Sequence, residues 1–293
     1  MGSRMTAPAV RSRKVANGAA PLVMVTAYDA PGARIVDEGG ADLILVGDSL
    51  AMVVLGYEDT LQVTVEDMAH HTAAVARTKP DALVVADLPW MSYHTTPEDA
   101  VRSAATLVRA GAGAVKLEGG AKRVPVVRAI VDAEIPVMGH LGLTPQSLLA
   151  MGGFKVQGKS VDAALALVED AKALVDAGVF AIVLEGVPDA VARMVTEAVP
   201  VPTIGIGAGR WCDGQVLVFH DLLGFEDRIT PKFVRRYASL KADGVNAVAA
   251  FAADVRAGAF PNDAESYHLP AGAAAELGVS DEELVGLYGN MSA

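Results

Sequence analysis

The sequence predicts an α/β protein built as a single (β/α)8 TIM barrel, and three observations support this prediction. Eight short apolar runs lack the alternation of apolar and polar residues, as is typical of parallel strands covered on both faces. Segments with helix-capping residues separate nearly all of these runs. Several runs end in a charged or imidazole side chain, and the C-terminal ends of barrel strands are where such folds carry their active sites.

The clearest strand is Leu43–Val46, which ends at Gly47 and presents the carboxylate of Asp48. Similar runs recur along the chain and end in Asp87, Glu118 and other polar residues. The eight predicted strands are 21–27, 43–46, 82–87, 114–118, 135–140, 180–185, 202–206 and 215–219, the last running into His220-Asp221.

Helices are predicted between the strands from their first residues. Thr64, Thr96 and Ser160 are candidate N-caps, and Pro31 and Pro97 suit the first turn of a helix. The predicted helices are about 31–38, 65–77, 97–111, 123–132, 161–177, 189–198, 232–240 and 245–257, with a short one near 281–288.

The alternative architecture is an open doubly wound sheet, which usually has a glycine-rich first turn. The first turn here, Tyr28-Asp29-Ala30-Pro31, has no such pattern. We therefore predict a leader at 1–20, partly flexible and without the apolar stretch of a secretory signal, and a catalytic barrel at 21–260. Residues 261–293 are predicted to form a tail that packs on the barrel or on a neighbouring subunit.

Composition narrows the functional classes. Hydrophobic residues make up 52% of the 293 residues, which argues against a disordered chain. The net charge of -11 argues against nucleic acid as the main partner. A single cysteine, Cys212, excludes a disulfide framework and fits a reducing, cytoplasmic location. No apolar run reaches about 18 residues, so no membrane span is expected.

Three carboxylates end consecutive predicted strands, namely Asp48, Asp87 and Glu118. In a barrel these ends are neighbours, and like charges packed closely raise each other's pKa unless a cation lies among them. Oxygen ligands suit a hard ion such as Mg²⁺. The alternative interpretation is that each acid caps the following helix or pairs with a surface lysine.

Three further strand-end residues are candidates for substrate chemistry. Lys116 lies on the same side of its strand as Glu118, so it could bind a carboxylate, stabilise an enolate or form a Schiff base; alternatively it neutralises Glu118. His140 could donate to a carbonyl, act as an acid or be structural. Glu185, expected on the far side of the mouth from the acids, could act as a general base or cap the next helix.

Two glycine-rich stretches look like nucleotide sites but lack the right context. Gly153–Ser160 matches the phosphate-loop spacing, yet it follows a predicted helical turn instead of a strand. In Gly205–Gly209, Arg210 takes the place of the third glycine of a dinucleotide fingerprint. A separate aromatic loop follows the third predicted strand. Its Trp90 and Tyr93, with His94, could form a lid for a flat ligand or simply pack.

Seven strings, in order along residues 22–260, together resemble the ketopantoate hydroxymethyltransferase family. They are Val25-Thr-Ala-Tyr-Asp29, Val46-Gly-Asp-Ser-Leu50, Ala86-Asp-Leu-Pro89, Val115-Lys-Leu-Glu-Gly119, Gly139-His-Leu-Gly-Leu-Thr-Pro-Gln146, Gly152-Gly-Phe-Lys-Val-Gln-Gly158 and Ile204-Gly-Ile-Gly-Ala-Gly209. The phosphate-loop lookalike falls inside one of them, which removes most of its weight.

The resemblance implies a barrel of the phosphoenolpyruvate/pyruvate type that uses Mg²⁺. The implied reaction, the entry step of pantothenate synthesis, transfers a hydroxymethyl group from 5,10-methylenetetrahydrofolate to 3-methyl-2-oxobutanoate through a Mg²⁺-stabilised enolate, giving ketopantoate. A cytoplasmic homodecamer of two pentameric rings is also implied. The resemblance also implies residue roles. Asp48 and Asp87 would be metal-linked residues that also face the substrate, with Glu118 close to the ion. Ser49 and Lys116 would bind the keto-acid carboxylate, His140 would take part in substrate binding, and Glu185 would be the proton acceptor.

Three other readings stay open at the level of the sequence. A Schiff-base aldolase would use Lys116 covalently. A lyase of the isocitrate type shares the barrel, but the catalytic Lys-Lys-Cys-Gly-His string is absent from the sequence. A non-catalytic scaffold would not need three inward acids and a lysine.

Overall fold

The computed structural model describes residues 4–225, 231–270 and 272–278. They divide into two compact units. The first comprises the residues up to 222 together with 231–236, and the second comprises 223–225 and the residues from 237 onward. The predicted domain boundaries at 20/21 and 260/261 stay predictions.

In the described part of the chain, eight parallel strands close into a barrel in sequence order, with β1 paired to β8. This confirms the predicted (β/α)8 architecture and excludes the open sheet. The strands are Leu22–Thr26 (β1), Leu43–Val46 (β2), Leu83–Asp87 (β3), Ala114–Glu118 (β4), Val137–Gly142 (β5), Ala181–Glu185 (β6), Thr203–Ile206 (β7) and Gly214–Leu217 (β8).

Helices connect most of the strands, and their capping residues are as predicted. Thr64, Thr96 and Ser160 each accept a hydrogen bond from a backbone N–H in the first turn. The helices are Ala7–Arg11 (α1), Ala30–Glu38 (α2), Leu50–Val53 (α3), Val65–Ala76 (α4), Pro97–Arg109 (α5), Val124–Asp132 (α6), Leu148–Met151 (α7), Val161–Asp176 (α8), Asp189–Ala198 (α9), Phe219–Leu223 (α10), Leu240–Arg256 (α11) and Ala273–Glu276 (α12).

The barrel interior is filled by alternate residues of the strands. On β3, Leu83 and Val85 belong to the buried core cluster, and on β6, Ala181 and Val183 do. Because side chains two residues apart share a face of a strand, the next residue in the first of these rows is Asp87. Polar side chains at the strand ends therefore continue inward rows whose lower levels are apolar.

The N-terminal end of the barrel is closed by the segment that precedes β1. Ala7 and Val10 of α1 are buried in the same core cluster as the barrel interior. Lys14 Nζ lies 2.8 Å from Asp213 Oδ2 and donates to the carbonyl oxygens of Thr196 and Val201. A buried ion pair with satisfied hydrogen bonds therefore ties this segment to the start of β8.

Several predicted boundaries were wrong. Strand β8 ends at Leu217, and His220 and Asp221 lie in helix α10 instead of at a strand end. No helix covers 232–240 in the described residues; the helix there begins at Leu240. The helix predicted near 281–288 lies outside the described residues.

The second unit contains α11 and α12. Its Phe251 and Phe260 rings lie 5.2 Å apart, and Asn262 with Glu265 forms a capping box on a 3-10 turn. Across the ranges that the structure describes, no helix has the length and apolarity needed to span a membrane.

Candidate active site

The predicted site residues meet at the C-terminal mouth of the barrel. Asp87, Lys116, Glu118 and His140 lie on β3, β4 and β5, and Glu185 ends β6. The first four side chains are buried, whereas that of Glu185 is 18% exposed. Burial of so many ionisable groups requires that they be paired with one another.

Lys116 pairs with Asp87, which lies directly opposite it on the neighbouring strand. Its Nζ is 2.9 Å from Asp87 Oδ1. Burial lowers the pKa of Lys116, but Asp87, Glu118 and Asp48 outweigh it and raise that pKa above its usual range. The ammonium form is therefore favoured, and the alternative in which Lys116 chiefly neutralises Glu118 does not describe its contacts.

Asp48 lies just beyond β2 and completes the acidic group. Burial, followed by repulsion from Asp87 and Glu118, raises the pKa of Asp48 well above its usual range. Its backbone N–H donates to Asp87 Oδ2 at 3.1 Å, so the two residues are held next to each other. At Gly47 an added Cβ would lie 2.9 Å from Ser49 Oγ, so a side chain here would displace the Ser49 hydroxyl.

His140 bridges two glutamates across three strands. Its Nδ1 lies 3.2 Å from Glu118 Oε1 and its Nε2 lies 3.2 Å from Glu185 Oε2. Burial and Lys116 lower the pKa of His140, but Glu118 and Glu185 outweigh them and raise it to about 9. Burial raises the pKa of Glu118, yet His140 and Lys116 bring it below its usual range. Glu185 ends β6, four strands around the barrel from β2, and His140 links it to Glu118 on β4.

Tyr93 and Gln146 belong to the site, although the sequence suggested Tyr93 only as part of a lid and did not single out Gln146. Both are buried, and Tyr93 Oη lies 2.6 Å from Gln146 Oε1. Gln146 also contacts Asp48 and Glu118. Its place in the string that ends at Gln146 was the one available signal, since a glutamine in a loop carries no pattern of its own.

Ser49 lies beside Tyr28, with 2.8 Å between the two hydroxyl oxygens. Burial raises the pKa of Tyr28, so its hydroxyl stays protonated. This contact orients a side chain for which the sequence predicts a role on the substrate carboxylate. Tyr28, like Tyr93 and Gln146, is a site residue that the strand-end pattern did not identify.

The remaining candidates lie outside this group. Trp90 is 38% exposed while Tyr93 is buried, so the aromatic loop does not form a continuous lid. The phosphate-loop lookalike follows the short helix α7, as expected, instead of a strand. Burial raises the pKa of the Cys212 thiol, which makes it a poor nucleophile.

Two of the three strand-end carboxylates suit a divalent cation. Within the described ranges, no three His, Cys, Asp or Glu side chains converge so as to enclose a metal ion by themselves. Among the described residues, however, Asp48 Oδ1 accepts no hydrogen bond, and Asp87 Oδ1 is engaged only by its ion pair with Lys116 at 2.9 Å. Two adjacent carboxylates suit Mg²⁺, which takes its other oxygens from water and substrate. Both oxygens of Glu118 contact protein groups, so the predicted three-carboxylate ligand set is not preformed.

Comparison with known proteins identifies close relatives. Residues 4–263 match the model of a family described as ketopantoate hydroxymethyltransferase. The 3-methyl-2-oxobutanoate hydroxymethyltransferase of Oleidesulfovibrio alaskensis is 58% identical over 250 residues, covering 85% of this chain and 86% of that protein. The enzyme of the same name from Moorella thermoacetica is 56% identical over 266 residues, covering 90% and 98%.

Solved structures with the same fold are more distant in sequence. A 2,3-dimethylmalate lyase of the PEP mutase/isocitrate lyase superfamily superimposes with a TM-score of 0.58 at 19% identity, covering 97% of this chain and 98% of that one. A phosphonopyruvate hydrolase gives 0.58 at 16% identity, covering 97% and 95%. These likenesses concern the fold alone and agree with the predicted TIM barrel.

Proposed function

We propose, on the premise that this chain belongs to the ketopantoate hydroxymethyltransferase family, that it transfers a one-carbon unit from 5,10-methylenetetrahydrofolate to 3-methyl-2-oxobutanoate in the presence of Mg²⁺. Family membership makes the chain a hydroxymethyltransferase; the folate donor, the cation, the residue roles and the place in pantothenate synthesis are proposals. The observation that carries them is the buried Lys116–Asp87 pair beside Asp48, at a barrel mouth that His140 connects to Glu185.

Substrate binding is assigned to Lys116, Ser49 and His140. A protonated lysine provides a fixed positive charge for the carboxylate of a keto acid. The Ser49 hydroxyl, oriented by Tyr28, can donate to the same carboxylate. His140 Nε2 faces Glu185 Oε2 at 3.2 Å without an aligned hydrogen bond, so a polar atom of the substrate would share this nitrogen with Glu185.

The cation would be held by Asp48 and Asp87, with Glu118 close by and retained by His140 and Gln146. When bound, it would withdraw electron density from the keto group and so acidify the C3–H bond. Lys116 offsets the negative charge of Asp87 whether or not substrate is present. The protein's own contribution is therefore a set of charges already in place before the reaction.

Proton removal is assigned to Glu185. Its carboxylate would accept the C3 proton, and the electron pair of that C–H bond would form the carbon–carbon double bond of the enolate. C3 then attacks the folate-borne methylene, a carbon–carbon bond forms, and water supplies the hydroxyl group as the folate nitrogen leaves. His140 Nε2 lies 3.2 Å from Glu185 Oε2, so the imidazole helps to fix the position of this carboxylate.

The Schiff-base alternative would need a neutral, nucleophilic Lys116. The three surrounding carboxylates favour the ammonium form instead. A folded protein incubated with keto acid and borohydride is therefore expected to show no covalent adduct. A trapped adduct on Lys116 would reverse this preference.

The proposal also includes self-association into a homodecamer of two pentameric rings and a cytoplasmic location. Sedimentation equilibrium of the purified protein tests the first part directly. A monomer at micromolar concentration would remove it without affecting the proposed reaction.

The decisive experiment is carbon NMR with labelled 3-methyl-2-oxobutanoate, methylenetetrahydrofolate and Mg²⁺, with and without EDTA. Ketopantoate formed only without EDTA is the expected result. C3–H exchange without product would retain the enolate chemistry and remove the folate donor. Product formed equally in EDTA would remove the cation from the proposal. If folded protein gave neither product nor C3–H exchange, the whole proposal would be overturned.

A further inference from the structure

We infer that Gln146 is a positioning residue that orients Asp48 toward the divalent cation, and that Tyr93 holds the Gln146 amide in the required direction. This inference rests on the proposed function. Gln146 does not touch the atoms that react. Its role follows from contacts with two of the three strand-end carboxylates.

Every polar group of Gln146 that faces the site has a partner. The side-chain Nε2 donates to Asp48 Oδ2 at 2.8 Å and to the Leu88 carbonyl oxygen at 2.9 Å. The backbone N–H donates to Glu118 Oε2 at 3.0 Å. The residue is only 5% exposed, so these bonds are sheltered from competing water.

The direction of the amide is determined by its neighbours. On one side lie two acceptors, Asp48 Oδ2 and the Leu88 carbonyl, which only an NH₂ group can satisfy together. On the other side Tyr93 Oη lies 2.6 Å from Oε1. The Tyr93 oxygen accepts the Glu118 N–H at 3.1 Å. Its own proton has two acceptors within reach, and Gln146 Oε1 at 2.6 Å is much nearer than the Glu118 carbonyl oxygen at 3.4 Å. A flipped amide would place its carbonyl against a carboxylate.

As a consequence, one of the two carboxylate oxygens of Asp48 is already hydrogen-bonded to the protein. Oδ2 is held by Gln146, and Oδ1 has no partner among the described residues. Both oxygens belong to a planar group, so a bond to one fixes the direction of the other. Gln146 therefore presents Oδ1 in a fixed orientation beside Asp87, whose Oδ2 accepts the Asp48 backbone N–H.

The same residue joins parts of the chain that are far apart in sequence. Gln146 lies on the 3-10 turn after β5, Asp48 follows β2 and Glu118 ends β4. The backbone N–H of Glu118 in turn donates to Tyr93 Oη. Partners of metal ligands often set ligand orientation in this manner, and their loss typically weakens metal binding about 10–100-fold.

The test measures Mg²⁺ binding to the purified, EDTA-treated full chain by isothermal titration calorimetry, without keto acid. Gln146→Met removes both polar atoms at similar volume and is expected to raise the Kd for Mg²⁺ about 10–100-fold. Tyr93→Phe keeps the ring and removes only the hydroxyl, so a rise of about threefold or more is expected, the effect of one lost hydrogen bond. Saturating Mg²⁺ should restore C3–H exchange in both variants.

The matched control is Thr203→Val, which also removes a buried hydroxyl, at the opposite end of the barrel. It is expected to lower the thermal midpoint in EDTA and leave the Kd for Mg²⁺ unchanged. If Gln146→Met does not fold, Tyr93→Phe decides the question. Folded variants that bind Mg²⁺ as the wild type does would overturn the inference alone, whereas a wild type that binds no Mg²⁺ would overturn the proposed cation as well.

Discussion

His140 contacts Glu185 across the neighbouring strands β5 and β6, with 3.2 Å between Nε2 and Oε2. The opposite ring nitrogen contacts Glu118 at the same distance. One imidazole therefore connects the residue assigned to proton removal with the carboxylates assigned to the cation. Loss of His140 should affect both parts of the site.

The pH dependence of stability follows from His140. Its pKa is about 9 in the folded protein, above the ordinary value of 6.5 expected when unfolded. Between these two pH values the folded state binds a proton that the unfolded state does not. The stabilisation of the folded state by His140 is therefore complete below pH 6.5 and is lost as pH rises through about 9. The expected loss is on the order of 3 kcal/mol.

Urea unfolding of the metal-free protein between pH 6 and 10 measures this contribution. In His140→Gln the slope of unfolding free energy against pH should flatten in this window, although the variant is less stable throughout. Equal slopes in both proteins would show that Glu118 and Glu185 do not hold the proton on His140.

Glu185→Gln tests the assignment of the base. An amide cannot accept the C3 proton, so C3–H exchange should fall about 100-fold or more, the usual contribution of a positioned base. Deuterium exchange into 3-methyl-2-oxobutanoate with Mg²⁺ measures this step without folate. Glu169→Gln changes an exposed carboxylate of the same type and should exchange normally. Wild-type exchange in Glu185→Gln, with product formation lost, would place Glu185 at the folate instead.

Lys116→Met should affect both folding and substrate binding. It leaves the buried Asp87 carboxylate without the Lys116 ammonium group, which typically costs about 3–5 kcal/mol of stability. The KM for the keto acid should also rise, because the positive charge facing its carboxylate is gone. Urea unfolding and initial rates check the two effects.

Lys172→Met is the matched control for that change. Its partner Glu169 lies one helical turn away on an exposed face, and such pairs contribute about 0.2–1 kcal/mol. If Lys116→Met were no more destabilising than Lys172→Met, the ion pair with Asp87 would not support the fold.

Lys14→Met addresses the opposite end of the barrel. It would leave the buried Asp213 carboxylate without its positively charged partner. That carboxylate also accepts the backbone N–H groups of Val15 and Thr203. We expect a loss of about 3–5 kcal/mol in unfolding free energy with unchanged kcat and KM for the folded enzyme. A change in KM would mean that the leader segment influences the mouth of the barrel.

The sequence predicted the strands and their polar ends well because both are local properties. The run at 43–46 coincides with β2, since a parallel strand covered on both faces is apolar along its length. The run at 114–118 coincides with β4, whose two charged residues lie toward the mouth of the barrel. Strand β8 was placed too far toward the C-terminus, because the apolar pair Val218-Phe219 continues the run while the chain already turns into α10.

Side-chain partners could not be predicted in the same way. Gln146 reaches Asp48 across 98 residues of sequence, and Tyr93 reaches Gln146 across 53. These contacts depend on where loops settle over the closed barrel. A lone glutamine or tyrosine in a loop has no periodicity that would reveal such a contact.

The sequence by itself determined the eight-strand order and which acids, lysine and histidine face the barrel interior, because alternation along a strand decides the face. Only the tertiary structure decided the pairing. Lys116 and Glu118 share a face but lie two residues apart along one strand, about 6.6 Å of rise, whereas neighbouring strands lie only about 4.8 Å apart. Strand register sets Asp87 directly opposite Lys116, and the lysine pairs across the sheet instead of along its own strand.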